Sequence, residues 1–444
     1  MRVLIAGAGI GGLTTALSLH AAGIEAELVE SARRPRPLGV GINLLPHAVR
    51  ELTELGLGGA LAGTGLPAEE LVHFDRHGNR VWGEGRGTAL GHRWPQIFVH
   101  RGELQMLLLE AVRERLGADA VRTGTSLTGF TEDAGGVTAR VRDQDTGAGS
   151  EIRADVLVGA DGLHSVVRRA LHPDEGGPLW NGVRLWRGTT EADPFLDGKT
   201  MAVLGSKHVA KFICYPISRE AADRGRALVN WLGEVQERPM ETAGPDGTGT
   251  GGSGGIEGAL TEVPDWNREG RIEDVMPYFE DWNVPWLDVP GLIKGAGEIL
   301  EYPMVDRAPL PFWTRGRVTL LGDAAHPMYP LGSNGGSQAV LDARALAYEL
   351  ARAATPAEGL AAYDAARRET VNAIVIGNRV NPGDAILHTV AERAPDGFAR
   401  IEDVLTPDEL APLADGYRSI THTDDMNRDS PWAVSAAPPP ARTR

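Results

Sequence analysis

The sequence predicts an α/β fold in which a Rossmann-like domain is interrupted by a second domain built on a mostly antiparallel sheet. Three observations predict it. A Gly-rich turn, Gly7-Ala8-Gly9-Ile10-Gly11-Gly12, joins an apolar run to a helical pattern. Two further turns, Asp161-Gly162 and Gly322-Asp323, each close an apolar run of the same kind. Between these two lies a block of β-branched and aromatic runs without helical period.

In the first unit, Val3-Leu4-Ile5-Ala6 reads as a buried parallel strand, and Leu13 to Ala22 has the apolar spacing of a helix packed on it. Gly7 permits the tight turn, Gly9 lets the backbone approach a pyrophosphate, and Gly12 lets helix and strand pack closely. The phosphates then meet the helix N-terminus. The next strand, Ala26 to Glu30, ends on an acid placed to bind a ribose 2′-hydroxyl, where it would repel a 2′-phosphate. A second match to the same letters, Gly249 to Gly254, follows no apolar run and precedes no helical pattern. It reads as a flexible Gly-rich loop within 243–258.

The later elements follow in order. After helical material around Pro46 to Leu61, residues 71–99 read as short strands and turns, and His100 to Leu116 as an amphipathic helix. Strands occupy the 121–158 region. The runs Val183 to Trp186, Met201 to Leu204, Phe212 to Tyr215 and Leu228 to Trp231 then form the separate sheet. Helices return from Ile272, Arg317 to Leu321 is another buried strand, and clear apolar period is lost after about Ala391. Residues 435–444 are Pro/Ala-rich, with the character of a disordered end, and the chain beyond about 430 is expected to be dispensable for cofactor binding. The expected division is a nucleotide-binding domain at 1–70, 100–180 and 300–390, a second domain at 71–99 and 181–299, and an extension at 391–444.

A length of 444 residues exceeds what one core supports and implies two or three lobes. The net charge of -16, from 60 acids against 44 bases, argues against nucleic acid and anionic membranes as partners. One cysteine, Cys214, excludes an internal disulfide and a multi-cysteine metal site, and no metal is expected. No run of about 18 apolar residues reads as a membrane span. The expected location is the cytoplasm, as a monomer or homodimer.

Asp161-Gly162 alone is only a turn signal. The third signature says more. Asp323 sits at the end of a buried strand and can accept hydrogen bonds from ribityl hydroxyls. Gly335 and Gly336 precede a helix expected to start near Ser337, and their N–H groups can face the pyrimidine edge of an isoalloxazine ring. That edge carries negative charge when a flavin is reduced. The three signatures in this order point to one bound FAD.

With Arg101 and Gln105 in the run His100 to Gln105, these signatures resemble the single-component FAD-dependent aromatic hydroxylases, the class A flavoprotein monooxygenases. Within them the chain is most similar to the 5-methylphenazine-1-carboxylate monooxygenases, with salicylate hydroxylases more distant. The resemblance spans roughly residues 1–380 and is carried by 36–43, 100–109, 195–201, 302–307 and 320–343. It implies that Gly11 and Gly12 hold the pyrophosphate and Glu30 the adenosine ribose. Arg101 and Gln105 would contact the pyrophosphate and ribityl region, and Gly39 to Gly41 would line the mobile isoalloxazine ring. Asp161 would serve both FAD and a transient nicotinamide.

The implied reaction is hydride transfer from NADH or NADPH to the flavin, followed by dioxygen addition and hydroxyl delivery from a flavin C4a-hydroperoxide to an aromatic ring. A phenazine or salicylate-type acid is the implied substrate, and the hydroxylation is open to being decarboxylative. The cofactor carries that chemistry, so no catalytic acid or base is nominated; His326 and His47 read as structural. Tyr215, Trp231, Pro330 and Leu331 are candidate substrate-lining residues, and Arg187, Lys211 and His208 candidate carboxylate partners. Two other readings stand against this one. One is a different flavoenzyme on the same scaffold, such as an epoxidase, a Baeyer-Villiger oxygenase or an NADH oxidase. The other is a flavin-binding protein without turnover.

Overall fold

In the computed structural model, residues 1–37, 39–237, 268–379, 382–411 and 426–433 are described. Leu38, the Gly-rich stretch 243–258 and the Pro/Ala-rich residues 435–444 lie outside them. A six-stranded sheet runs in the order Thr314–Arg315, Val318–Leu320, Val156–Gly159, Arg2–Ala6, Glu25–Glu30, Val121–Thr123. All its pairings are parallel except the Thr314–Arg315 edge. Buried parallel strands need apolar residues on both faces, which is why the central strands read as uninterrupted runs. Helices Ile10–Ala21 and Asn334–Arg352 pack on this sheet, and the first core is built here.

The seven-stranded sheet runs Ile299–Asp306, Leu179–Ala192, Ala227–Gln236, Ala210–Pro216, Thr200–Ser206, Glu70–Phe74, Arg80–Gly85. One pairing, Thr200–Ser206 with Glu70–Phe74, is parallel and the rest are antiparallel. Its two faces serve different cores. One holds Phe212, Trp231 and Phe279; the other holds Leu185, Ile213, Tyr215 and Leu232 with Ile386 and Val390 of the helix Pro382–Arg393. A small sheet, in which Gly41–Leu44 pairs with Ile97–His100, bridges the two halves.

Two expectations are corrected, and one is extended. Ile299–Asp306 belongs to the antiparallel sheet, so the chain re-enters the nucleotide-binding half after 306 and not at 300. Pro303 hides this strand in the sequence, and its place at the sheet edge is where a missing N–H is tolerated. Beyond Ala391, regular structure continues through the helix to Arg393 and a short turn at Ile401–Asp403. Residues 426–433 return to the first core, where Trp432 is buried beside Arg367 and Ser430 Oγ donates to Glu51 Oε2 at 2.8 Å. Trp432 thus belongs to the first core, while the expectation that residues beyond about 430 are dispensable for cofactor binding is not touched by this packing. Among the described residues no helix is long and apolar enough to cross a membrane.

Candidate functional site

The glycines of the first turn have different reasons to lack a side chain. At Gly7, with φ +103°, a Cβ would lie 2.3 Å from the Ala160 carbonyl oxygen; at Gly12 it would lie 2.0 Å from that of Gly7. At Gly11 it would meet Leu321 Cδ2 at 2.7 Å and Ala339 Cβ at 3.4 Å. At Gly9 nothing stands within 4 Å, so the loop opens there to whatever lies above the N-terminus of Ile10–Ala21. These contacts also join the three signatures. The first loop touches the residue before Asp161, the residue before Gly322, and the helix that carries Gly335 and Gly336.

Ala8 is gripped from both sides. Its N–H donates to Glu30 Oε2 at 2.8 Å, and its carbonyl accepts from Gln105 Nε2 at 2.8 Å. Glu30 Oε1 also accepts from Ala32 N–H at 2.7 Å, which holds the carboxylate at the strand end. Arg101 begins the helix Arg101–Leu116 with an exposed side chain, and its N–H donates to Val40 C=O at 2.9 Å. Burial lowers the His100 pKa, so its Nδ1 stays free of a proton and accepts the Glu103 N–H as the cap of that helix.

Asp161 turns its carboxylate inward, accepting from Ser165 Oγ and from Val166 N–H at 2.7 Å. Burial raises its pKa against those hydrogen bonds. Asp323 differs: it is exposed and makes no hydrogen bond to another described residue. The helix after it starts at Asn334, three residues before the expected Ser337. Gly335 and Gly336 therefore occupy its first turn, where backbone N–H groups have no intrahelical acceptor. A Cβ on Gly335 would meet nothing within 4 Å, and one on Gly336 would reach Ile42 Cδ1 at 3.7 Å, in ordinary contact.

The strand Gly41–Leu44 lies between this helix and the antiparallel sheet. Gly41 N–H donates to Asn230 Oδ1 at 2.7 Å and its carbonyl accepts from Arg187 Nη2 at 2.6 Å. A Cβ on Gly41 would lie 2.7 Å from both Asn230 Cβ and Ile217 Cγ2. Arg187 thus holds backbone, where a carboxylate partner was expected. Lys211 is buried between Asp384 and Glu234; burial alone would lower its pKa, but the two carboxylates raise it. The His208 ring lies tilted against that of His388, with ring centroids 4.1 Å apart.

Of the lining candidates, Tyr215 is on the sheet face turned toward the nucleotide-binding half, 5.0 Å from the Phe98 ring. Trp231 is a correction: it packs with Phe212 and Phe279 on the opposite face and donates to Thr190 Oγ1 at 3.2 Å. Strand alternation gives the inward position to its neighbour Asn230. Pro330 is exposed, and Leu331 packs with Val183, Met304 and Tyr329. A small open pocket is lined by Asn43, Arg86, Gln96, Met201, Gly332 and Ser333, among others. Sequence reasoning passed over Asn43, Arg86 and Asn230, since no motif marks them; the parity of the 227–236 strand against the Gly41 run was the available signal for Asn230.

His326 and His47 are buried. His326 Nε2 lies 2.6 Å from Asp342 Oδ2, whose other oxygen accepts from Arg367 Nε at 2.9 Å. Burial, then the nearby Arg50 and Arg367 charges, lowers His47 to about 3, so its ring is neutral. Among the described residues no group of three or more His, Cys, Asp or Glu could hold a metal ion.

The donor set suits an FAD. An open Gly9, free N–H groups at two helix starts, an unengaged acid at Asp323 and a tight seat for the small-residue turns match a diphosphate, a polyol and a ring edge in turn. The FAD binding domain family matches residues 1–243 and 305–377. The chain is 48% identical over 422 residues to phenazine 1,6-dicarboxylic acid hydroxylase PhzS of Lysobacter antibioticus, covering 94% of this chain and 96% of that protein. It is 31% identical over 375 residues to 3-hydroxybenzoate 6-hydroxylase 1 of Aquipseudomonas alcaligenes, covering 82% and 84%. Klebsiella pneumoniae HpxO, solved with FAD and uric acid, superposes with a TM-score of 0.72 at 25% identity over 94% of this chain and 97% of that one.

Proposed function

The chain belongs to the FAD binding domain family and is an FAD-dependent aromatic hydroxylase; on that premise we propose that it hydroxylates a phenazine carboxylic acid, with the roles of individual residues as follows. Bound FAD supplies the redox chemistry, taking hydride from NAD(P)H and activating dioxygen. Gly9 and the first turn of Ile10–Ala21 receive the pyrophosphate. Glu30 takes the adenosine ribose while it holds the Ala8 N–H. Gln105, through the Ala8 carbonyl, sets the height of the loop. Asp323 binds the ribityl chain, and the N–H groups of Gly335 and Gly336 face the pyrimidine edge. Asp161 supports the loop by accepting from Val166 N–H and from the hydroxyl of Ser165, the N-cap of Val166–Leu171.

Gly39–Gly41 and Gly335–Gly336 would hold the ring between them, and the inward sheet face near Tyr215 and Met201 would receive the aromatic acid. Arg86, buried and paired with Glu84, lines the cavity and offers a cation to a carboxylate. The observation that carries this reading is the convergence of the three signatures on one loop. The phenazine substrate is supported by the relative at 48% identity over nearly the whole of both chains.

The test is NADH and NADPH oxidation by the purified yellow protein, with and without phenazine mono- and dicarboxylic acids and salicylate, followed by mass spectrometry. Strong stimulation by a phenazine acid, with a product gaining one oxygen or exchanging carboxylate for hydroxyl, is expected. Stimulation by salicylate alone overturns the substrate proposal.

A further inference from the structure

The strand Gly41–Leu44 carries a side chain that no motif explains. Asn43 is more than nine-tenths buried, and among the described residues neither its Oδ1 nor its Nδ2 has a hydrogen-bond partner. A primary amide is both donor and acceptor, and leaving both ends unpaired in the interior is costly. Its strand is nonetheless fixed at each end. Gly41 is held by Asn230 and Arg187, and Leu45 N–H donates to Ser337 Oγ at 3.0 Å. The amide is therefore held at a set position, lining the cavity together with Gly332 and Ser333, which lead into the helix Asn334–Arg352.

We propose that Asn43 reads the pyrimidine edge of the flavin: Nδ2 donates to a ring carbonyl and Oδ1 accepts the imide N–H. This rests on the ring seat described above, between Gly39–Gly41 and Gly335–Gly336. That edge presents an N–H flanked by carbonyls, and a primary amide offers the complementary donor and acceptor from one side chain. Both orphaned atoms are satisfied at once. The preorganised strand means that no reordering is needed when the ring arrives. When the flavin is reduced, the amide N–H also faces the growing negative charge, adding to the helix N-terminus on the same edge.

The test uses Asn43→Leu and Asn43→Asp in the full-length protein, read by apoprotein melting, FAD affinity on reconstitution and the flavin midpoint potential. Asn43→Leu is expected to leave the apoprotein melting temperature unchanged or raised, because an unpaired polar group has been replaced by an apolar one of similar shape. It is expected to weaken FAD binding roughly tenfold, the loss of about one good hydrogen bond, and to lower the midpoint potential. Asn43→Asp, which adds charge against the reduced ring, lowers the potential further. A structural role would move apoprotein stability and FAD affinity down together. Unchanged FAD affinity and potential in both variants overturn the proposal; if KM for the aromatic acid rises instead, the amide reads substrate. Gly9→Val run in parallel separates the premise: FAD binding that survives it sinks the cofactor seat itself.

Discussion

The two halves of the site constrain their residues by different physics. In the nucleotide-binding half, backbone meets backbone: Gly12 stands over the Gly7 carbonyl, and Gly7 over that of Ala160, at distances no Cβ survives. In the antiparallel half, side chains decide, and successive residues of one strand serve opposite cores. Asn230 holds Gly41 while Trp231, one residue on, is sealed against Phe212 and Phe279. The first half is intolerant of any added atom at a few positions. The second tolerates change within a face, but cannot exchange one face for the other.

The largest effect is therefore expected at Gly12→Ala. A Cβ there would sit 2.0 Å from the Gly7 oxygen, so strand and helix must separate, at a cost of roughly 3 kcal/mol or more. The purified variant is expected to be colourless and to melt lower. Gly9→Ala meets nothing within 4 Å, so its melting temperature as apoprotein should stay near wild type while FAD affinity falls. Equal losses of stability in the two variants would break the contrast between packing and ligand-facing glycines.

The sheet supplies the second test. Trp231→Ala removes a fully buried ring from the outer core and should cost about 3–5 kcal/mol of stability, while the folded fraction keeps its KM for the aromatic acid. Tyr215→Ala, on the inward face, should raise KM with a smaller loss of stability. A rise in KM for Trp231→Ala and none for Tyr215→Ala would reverse the assignment of faces.

A third, smaller effect is expected where the chain folds back on the first core. Truncation after residue 425 removes Trp432 from beside Arg367, the Ser430 hydrogen bond to Glu51, and Met426 from the cavity wall. It should lower stability by roughly 3 kcal/mol and leave FAD bound. Truncation after Ala433 should leave both the stability and the bound FAD unchanged. Identical melting for the two truncations would mean that the segment is not holding the core.

How much of this was legible follows from the same contrast. The turns that hold the glycines and Asp323 could be read because a turn between strand and helix leaves a fixed spacing in the sequence. The place of Glu30 at a strand end could be read because Leu28 and Val29, buried in the sheet, directly precede it. Trp231 was misassigned because alternation says which residues share a face, not which face turns inward; that depends on the pairing of Gly41 with Asn230, 189 residues apart in the chain. The strand Ile299–Asp306 was hidden by Pro303 at a sheet edge. Trp432 lay in a polar stretch whose contacts, with Arg367 and Glu51, have no sequence period at all.

The smallest effect concerns His47, in the helix Pro46–Glu54 directly after the strand that carries Asn43. It is fully buried with neither ring nitrogen hydrogen-bonded among the described residues, and burial followed by the charges of Arg50 and Arg367 lowers its pKa to about 3. The sign follows from proton uptake. The unfolded chain protonates this ring near pH 6.5, whereas the folded protein does not until about 3. Below 6.5 the unfolded state binds more protons, so stability falls as the pH falls, through the window from about 6.5 to about 3. At pH 5 the loss from this one residue is roughly 2 kcal/mol relative to pH 7. His47→Gln, which cannot titrate, should flatten the acid side of a plot of melting temperature against pH between 6.5 and 5, whatever its effect at pH 7. If wild type and variant fall in parallel across that window, His47 protonates in the folded state and its environment is wetter than the packing indicates.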